Sequence, residues 1–420
     1  MTDASGPRPD PELTERAPEQ RARPSLVALC GLVVLLDGAD NIAIGLVGHD
    51  MAQTAHTPAA ALGPVFSAGQ FGFLAGSLLF GPLADRVGRK PVLIGAAALF
   101  GAATLATTLG STVSMLVVLR FVTGLGMGGA APVAIALAAE FTPARVRATV
   151  VALVWGTFPF GGVVIGLASV PVLPHGWQPL FWLIGAATLV VAATLVAALP
   201  ESPGFLAARD RAGDARRGRA PLRELFVGSR ALRTPLLWGA FFGSFLPLVF
   251  VTNWAPTVLL QHGTTPAGVG LAITLHSLGS TIGSGGVGRL MDRLSGYPVT
   301  LAMLAVGALT LVGFGVATSS FALVAVAIAL CGLFTGAGQS GTIALGSLFY
   351  PTVVRSTGLG WAMAIGRLGS ATGPLIGAGM IAAAWSPLGI FGTIALFPFA
   401  AASLLVLVRA IPDRKAQPTG

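Results

Sequence analysis

Five ionisable side chains stand in stretches of sequence otherwise almost free of charge. Asp37 and Asp40 lie in LVVLLDGADNIAIGL, Arg120 opens RFVTGLGMGG, His276 sits in VGLAITLHSLGS, and Arg367 sits in AMAIGRLGSATG. On a helix, residues three apart share a face, so the two acids point the same way. A carboxylate at membrane depth costs about 2.5–3.5 kcal/mol even on insertion scales. Two such neighbours cannot cheaply both stay ionised, so at least one is suited to pick up and release a proton. The plainer reading is that one of them pairs with an arginine. The planar fork of Arg367 suits a carboxylate bidentately; it either anchors an anionic substrate or closes a salt bridge to Asp37 or Asp40. Arg120, near mid-span, has a buried role, either in transport or in a structural network. His276 is either a proton shuttle or substrate ligand, or a packed, hydrogen-bonded core residue. The other histidines, His49, His56, His175 and His262, are spread over three loops, so no metal site is expected. There is no phosphate-binding loop, no nucleophile–base pairing and no ATP-hydrolysing module. The expectation is a protein that is not an enzyme, has no cofactor and draws its energy from an ion gradient.

These side chains need elements that can carry them into lipid. Of 420 residues, 54% are hydrophobic and only 10% charged, against roughly 25% charged in soluble domains. Glycine, at 57 residues, lets membrane helices approach closely. Cys30 and Cys331 lie in apolar runs and imply no disulfide framework. The stretches 148–200, 234–288 and 294–354 contain no Asp, Glu, Lys or Arg. Each fits two helices of about 20 residues joined by a short far-side loop. The predicted spans are 25–48, 62–83, 91–111, 113–137, 148–171, 179–199, 234–259, 267–288, 298–317, 321–346, 357–383 and 388–409. The fold class is therefore an all-α membrane protein of twelve transmembrane helices. Residues 1–24 read as a polar, disordered tail and 410–420 as a second tail.

Apart from Arg120 and Arg367, every Lys and Arg falls on one side of these spans. By the positive-inside bias that side, with both termini, is cytoplasmic, which places the chain in an inner membrane. The same bias explains the formal charge of +9, so no nucleic-acid partner is needed. The long loop 200–233 separates six spans (25–199) from six (234–409), and the halves repeat. Gly81-x-x-x-Asp85-Arg86 returns as Gly288-x-x-x-Asp292-Arg293. Pro143-x-x-x-Arg147-Ala148-Thr149 returns as Pro351-x-x-x-Arg355-Ser356-Thr357 at nearly the same offset. Parallel pseudo-symmetric halves are a transporter architecture, with the substrate site between them near mid-depth.

The segment GPLADRVGRKP (81–91) resembles the loop signature of the major facilitator superfamily, and RFVTGLGMGGAAPVAIALAAEFTPARVRAT (120–149) resembles its fourth-helix segment. LLDGAD (35–40), LPESP (199–203), NWAPTVL (253–259) and YPTVVRSTGLGWAMAIGRLGSATGPLIG (350–377) are similar to the aromatic acid:proton symporters of that superfamily. The resemblance covers nearly the whole chain. It implies the major facilitator fold and import of a small aromatic carboxylate, hydroxybenzoate- or benzoate-like, with protons. The expected partners are that organic anion, protons and the lipid bilayer, for a monomeric carrier. It implies transport roles for Asp37 and Asp40, proton transfer for Arg120, and substrate contacts for Asn253, Trp254 and Trp361 beside Arg367, Asp40 and His276. The Trp faces would otherwise be interfacial anchors. It makes Gly81, Asp85, Arg86, Gly88, Arg89 and Lys90 a gate that latches the halves, with Asp292, Arg293 and Arg355 as second-half counterparts; Glu140, ending span four, is placed to pair with Arg89. The chain departs from the family at Ala39, Val133, Gly204, Ser295 and Gly296. A sugar-type or other organic-acid porter, and a multidrug exporter of the same fold, are the alternatives. Few Asn, Gln, Ser or Tyr side chains mark the spans, which favours a compact, partly apolar anion.

Overall fold

The computed structural model describes residues 23–143, 145–202, 205–206, 222–317, 320–351 and 354–412. Most of the predicted N-terminal tail, half of the 200–233 loop and most of the C-terminal tail lie outside these. Among the described residues there is no strand. The helices are α1 (Pro24–Leu46), α2 (Gly48–Thr54), α3 (Gly63–Val87), α4 (Arg89–Thr107), α5 (Val113–Glu140), α6 (Arg147–Val172), α7 (Gln178–Ala198), α8 (Arg230–Gln261), α9 (Pro266–Leu294), α10 (Gly296–Val316), α11 (Phe321–Phe349), α12 (Arg355–Ala382) and α13 (Pro387–Ala410). All except the short α2 correspond to the twelve predicted spans.

Ten of the twelve are long and apolar enough to cross a membrane by composition. The remaining two, α9 and α12, are as long at 29 and 28 residues but are diluted by His276, Arg367, serines and glycines. Leu78, Leu153, Val190, Leu309 and Leu396 are all more than 60% exposed, as side chains facing lipid should be. The fold is that of a multi-pass membrane protein.

Local chemistry sets the helix ends. Prolines stand in the first turns of α1, α9 and α13, where no hydrogen-bond donor is lost. The hydroxyls of Thr112, Thr265 and Ser386 accept from the backbone N–H groups of Met115, Gly268 and Gly389. The breaks between α3 and α4 and between α9 and α10 fall at Gly88 (φ 116°) and Ser295 (φ 88°), equivalent positions of the repeat. Glycine adopts this backbone freely; Ser295 adopts it at a cost. Helices α3 and α9 run on past the predicted span ends, so Asp85, Arg86, Asp292 and Arg293 are helical, not loop residues.

The repeat extends to packing. Gly72 and Gly76 of α3 sit against the Phe121 and Leu125 carbonyls of α5, and Gly124 and Gly128 return the contact against Gly69 and Phe73. In the second half, Gly279 and Gly283 of α9 meet Ala329 and Leu333 of α11, and Gly332 and Gly336 return it against His276 and Ser280. A Cβ at any of these would overlap a neighbouring backbone or side chain. In lipid, where apolar burial gives little drive, such close approach supplies the association energy.

Between the halves, Gly45 of α1 rests on Thr252 and Asn253 of α8. Gly63 rests on Pro374 and Ala378 of α12, and Gly166 of α6 on Thr274 and Gly270 of α9. The Ser67 hydroxyl donates to the Ala371 carbonyl at 2.7 Å. These contacts run from the end opposite the basic loops to mid-depth. Beyond that, toward the basic end, a Cβ on Gly81, Gly285 or Gly288 would meet nothing. The halves meet through these contacts and enclose a cavity between them.

Candidate transport site

Helix α1 brings both acids to mid-depth, because Gly38 between them lets the helix lie on the Phe158 carbonyl of α6. Their surroundings differ. Asp40 is fully buried and receives both Arg120 amino groups, Nη1 to Oδ1 at 3.2 Å and Nη2 to Oδ2 at 2.6 Å. The Thr104 hydroxyl donates to Oδ1 at 3.1 Å. This bidentate pair ties α1, α4 and α5 together within the first half. The Arg120 guanidinium also lies 5.9 Å from the Phe181 ring centroid. Asp37 is just as buried, yet its Oδ1 has no hydrogen-bond partner.

Arg367 of α12 faces Asp37 electrostatically, although no ion pair joins them. Its guanidinium covers the Phe73 ring of α3 at 3.9 Å, a cation–π contact across the two halves. Among the described residues no carboxylate is paired with it. It lines the mid-depth cavity instead.

Both halves build that cavity. Helix α6 supplies Trp155 and Phe158, stacked 6.0 Å apart at 9°. Phe245, Leu248 and Val249 of α8 supply an apolar wall. Polar atoms come from Asn41 of α1, Gln339 of α11, Ser370 of α12, and a stripe on α9 comprising His276, Ser277, Ser280 and Ser284. Few polar side chains are expected at depth; the fold brings these to one place, while others such as Ser67, Gln70, Ser244 and Asn253 lie away from the cavity. The His276 Nδ1 faces the Ile328 carbonyl at 3.4 Å, while its Nε2 has no partner.

A family model described as Major Facilitator Superfamily matches residues 29–265 and 254–420. The chain belongs to the major facilitator superfamily. It is 36% identical over 366 residues to a 3-(3-hydroxy-phenyl)propionate transporter of Escherichia coli, covering 87% of this chain and 88% of that one. It is 32% identical over 421 residues to the 4-hydroxybenzoate transporter PcaK of Pseudomonas putida, covering 94% of each. A crystal structure of a D-xylose-proton symporter shares the fold, with a TM-score of 0.76 at 18% identity over 94% of this chain and 99% of that one.

The superfamily's loop signature forms a compact network in this facilitator. Arg89 is ion-paired with Glu140, and the Ser202 hydroxyl donates to the other Glu140 oxygen. Glu201 accepts at one oxygen from the backbone N–H groups of Arg89 (3.0 Å), Lys90 (3.1 Å) and Ser202 (2.8 Å). A carboxylate thus sits on the N-terminus of α4, where the helix dipole favours it. A Cβ at Gly88 would strike that carboxylate. The reading of charges alone left Glu201 out; the LPESP segment was its signal. Asp85 and Arg86 are exposed, as are Asp292 and Arg293. Arg355 is exposed too, and its Nε donates to the Tyr350 carbonyl at 3.2 Å.

Four expected substrate contacts do not line the cavity: Asp40, held by Arg120, and Trp254, Asn253 and Trp361. The Trp254 indole is fully buried, donates to the Pro374 carbonyl at 3.1 Å and packs on Phe66. Asn253 is buried where the halves meet, against Gly45. Trp361 is 44% exposed and stacked on Trp238. It lies six residues before Arg367, which turns it to another face of α12. The rings that line the cavity belong to Trp155, Phe158 and Phe245, aromatic residues that nothing in the sequence distinguished from lipid-facing ones.

Proposed function

We propose that this facilitator imports a small aromatic carboxylate together with protons across the bacterial inner membrane, by alternating access. The observation that carries the reading is Arg367. It is a guanidinium at mid-depth, bound to no carboxylate of the described chain and set beside aromatic and apolar walls. Charge in such a site is stable only with a counter-ion, and an aromatic acid supplies both the anion and the ring. The names of the relatives support the same substrate class.

In this reading Asp37 carries the proton. Asp40 is neutralised by Arg120 and Thr104, which makes that pair a structural support for α1. Asp37 has a free oxygen and stands in the field of Arg367. A bound substrate anion competes with Asp37 for Arg367 and so favours its protonation, which couples the two cargoes. Residues 25–199 and 234–409 are the rocking bundles, joined by the 200–233 loop. The basic side, with both tails, is cytoplasmic, and the monomer is the transporting unit.

The test is uptake of labelled 4-hydroxybenzoate and benzoate into cells, with and without a protonophore, by wild type and Arg367→Ala. Uptake is expected to be abolished by the protonophore. In the variant it is expected to fall by about 30-fold or more, as when one partner of a buried charge pair is removed. Accumulation by Arg367→Ala at the wild-type rate would sink the anchor assignment.

A further inference from the structure

The cavity carries two chemically different polar groups, on helices that pack against different partners. Arg367 and Ser370 lie one turn apart on α12, which packs on α3; His276 and Ser277 lie side by side on α9, which packs on α6. Three of these side chains are only 1% exposed, and each keeps a polar atom with no partner: His276 Nε2, Ser277 Oγ and Ser370 Oγ. Buried polar atoms are nearly always hydrogen-bonded, and an exception needs a reason. Here all three line the same cavity, between walls built from Trp155, Phe158 and Phe245.

We infer that His276 and Ser277 form a second recognition pole, which binds a hydroxyl carried by the aromatic ring at the far end from the carboxylate. The tautomer of His276 that donates from Nδ1 to the Ile328 carbonyl leaves Nε2 as an acceptor. A phenolic O–H is the donor that matches it. The Ser277 hydroxyl both donates and accepts, and so completes the phenol oxygen's bonds. The lone Ser370 hydroxyl, beside Arg367, serves the carboxylate end. An acid without the hydroxyl would leave His276 Nε2 and Ser277 Oγ dry and unpaired, and a site built for a hydroxyl discriminates strongly against such an analogue. Helix α9 is therefore the specificity helix, and it is one of the two long helices whose composition falls short of a simple membrane span.

This inference rests on the aromatic-carboxylate reading above. The experiment measures binding to the purified full-length protein in nanodiscs, by calorimetry, for two pairs of acids. The pairs are 4-hydroxybenzoate with benzoate, and 3-(3-hydroxyphenyl)propionate with 3-phenylpropionate. In at least one pair the hydroxylated acid is expected to bind about tenfold or more tighter, the ratio set by one or two buried unpaired groups. Ser277→Ala and His276→Phe are each expected to pull that ratio toward one. A merely structural role would weaken both members of a pair alike and leave the ratio standing. Equal binding within both pairs, or a ratio that survives both substitutions, overturns the hydroxyl pole while the carboxylate reading stands. Binding of no acid in either pair overturns both.

Discussion

At the scale of single residues, the two acids of α1 illustrate how neighbours three positions apart take opposite roles. Removing the Asp40 charge would leave the buried Arg120 guanidinium uncompensated, and breaking a buried pair in this way costs about 3–5 kcal/mol. Asp40→Asn is therefore expected to lower the thermal midpoint and yield of the purified protein sharply. Asp37 has a free oxygen and no ion pair, so Asp37→Asn is expected to be tolerated structurally, within about 1 kcal/mol. Under the proposed coupling it loses protonophore-sensitive accumulation but keeps exchange of labelled for unlabelled acid across the membrane. Thermal melts and counterflow assays separate the two; equal effects on stability would refute the division. Charged residues were legible in the sequence because a charge in an apolar run is conspicuous. Their pairing was not, since nothing in the sequence says that the Arg120 fork closes on Asp40 and leaves Asp37 without an ion pair. The serines of α9 and the aromatic residues of α6 were invisible for a different reason. Such residues are ordinary in membrane helices, and only helix rotation decides whether they face lipid or cavity.

At the scale of elements, composition foretold twelve helices, and the gaps between the predicted spans at 259–267 and 383–388 placed two of the breaks well. The abundance of glycine announced close packing but not which helices it joined. The structure sorts the glycines into two classes. Those joining α3 to α5 and α9 to α11 hold each half together, whereas Gly45 and Gly63 touch the opposite half. A methyl group at Gly45 would overlap Thr252, and one at Gly63 would crowd Ala378. Under the proposed alternating access these contacts are made only in the state closed at that end, so Gly45→Ala or Gly63→Ala would penalise that state and leave each half intact. The expected result is a shift toward the conformation open at the opposite end. Accessibility of a cysteine placed beside Gln70 would report it, and uptake would slow by about tenfold, within the usual range of conformational coupling. Gly124→Ala, by contrast, is expected to fail as a folding defect, because it forces α5 off α3 inside one half.

At the scale of the whole molecule, the basic end carries an asymmetry that the repeat conceals. The first half has Gly88 and Arg89 next to Glu201, Glu140 and Ser202. The second half has Ser295 and Gly296 at the matching positions, so it cannot build the same network. Among the described residues, the bonds of this network hold α4 to α5 and to the start of the central loop. Asp85 and Arg86 differ: they stand exposed on the first half, and Asp292 and Arg293 stand exposed on the other. Under the proposed alternating access, closing of the basic end brings the two sets together, so their charges would act on that state alone. A group that acts on one state of an equilibrium changes the rate of passage between states without touching the substrate. Asp85→Asn is expected to lower maximal uptake by about 5- to 100-fold, the span of a 1–3 kcal/mol coupling, while binding of the substrate to the purified protein stays within about twofold. Paired uptake and calorimetry on the same preparation make the comparison. A matching loss of affinity would place Asp85 in the binding reaction and remove it from the gate.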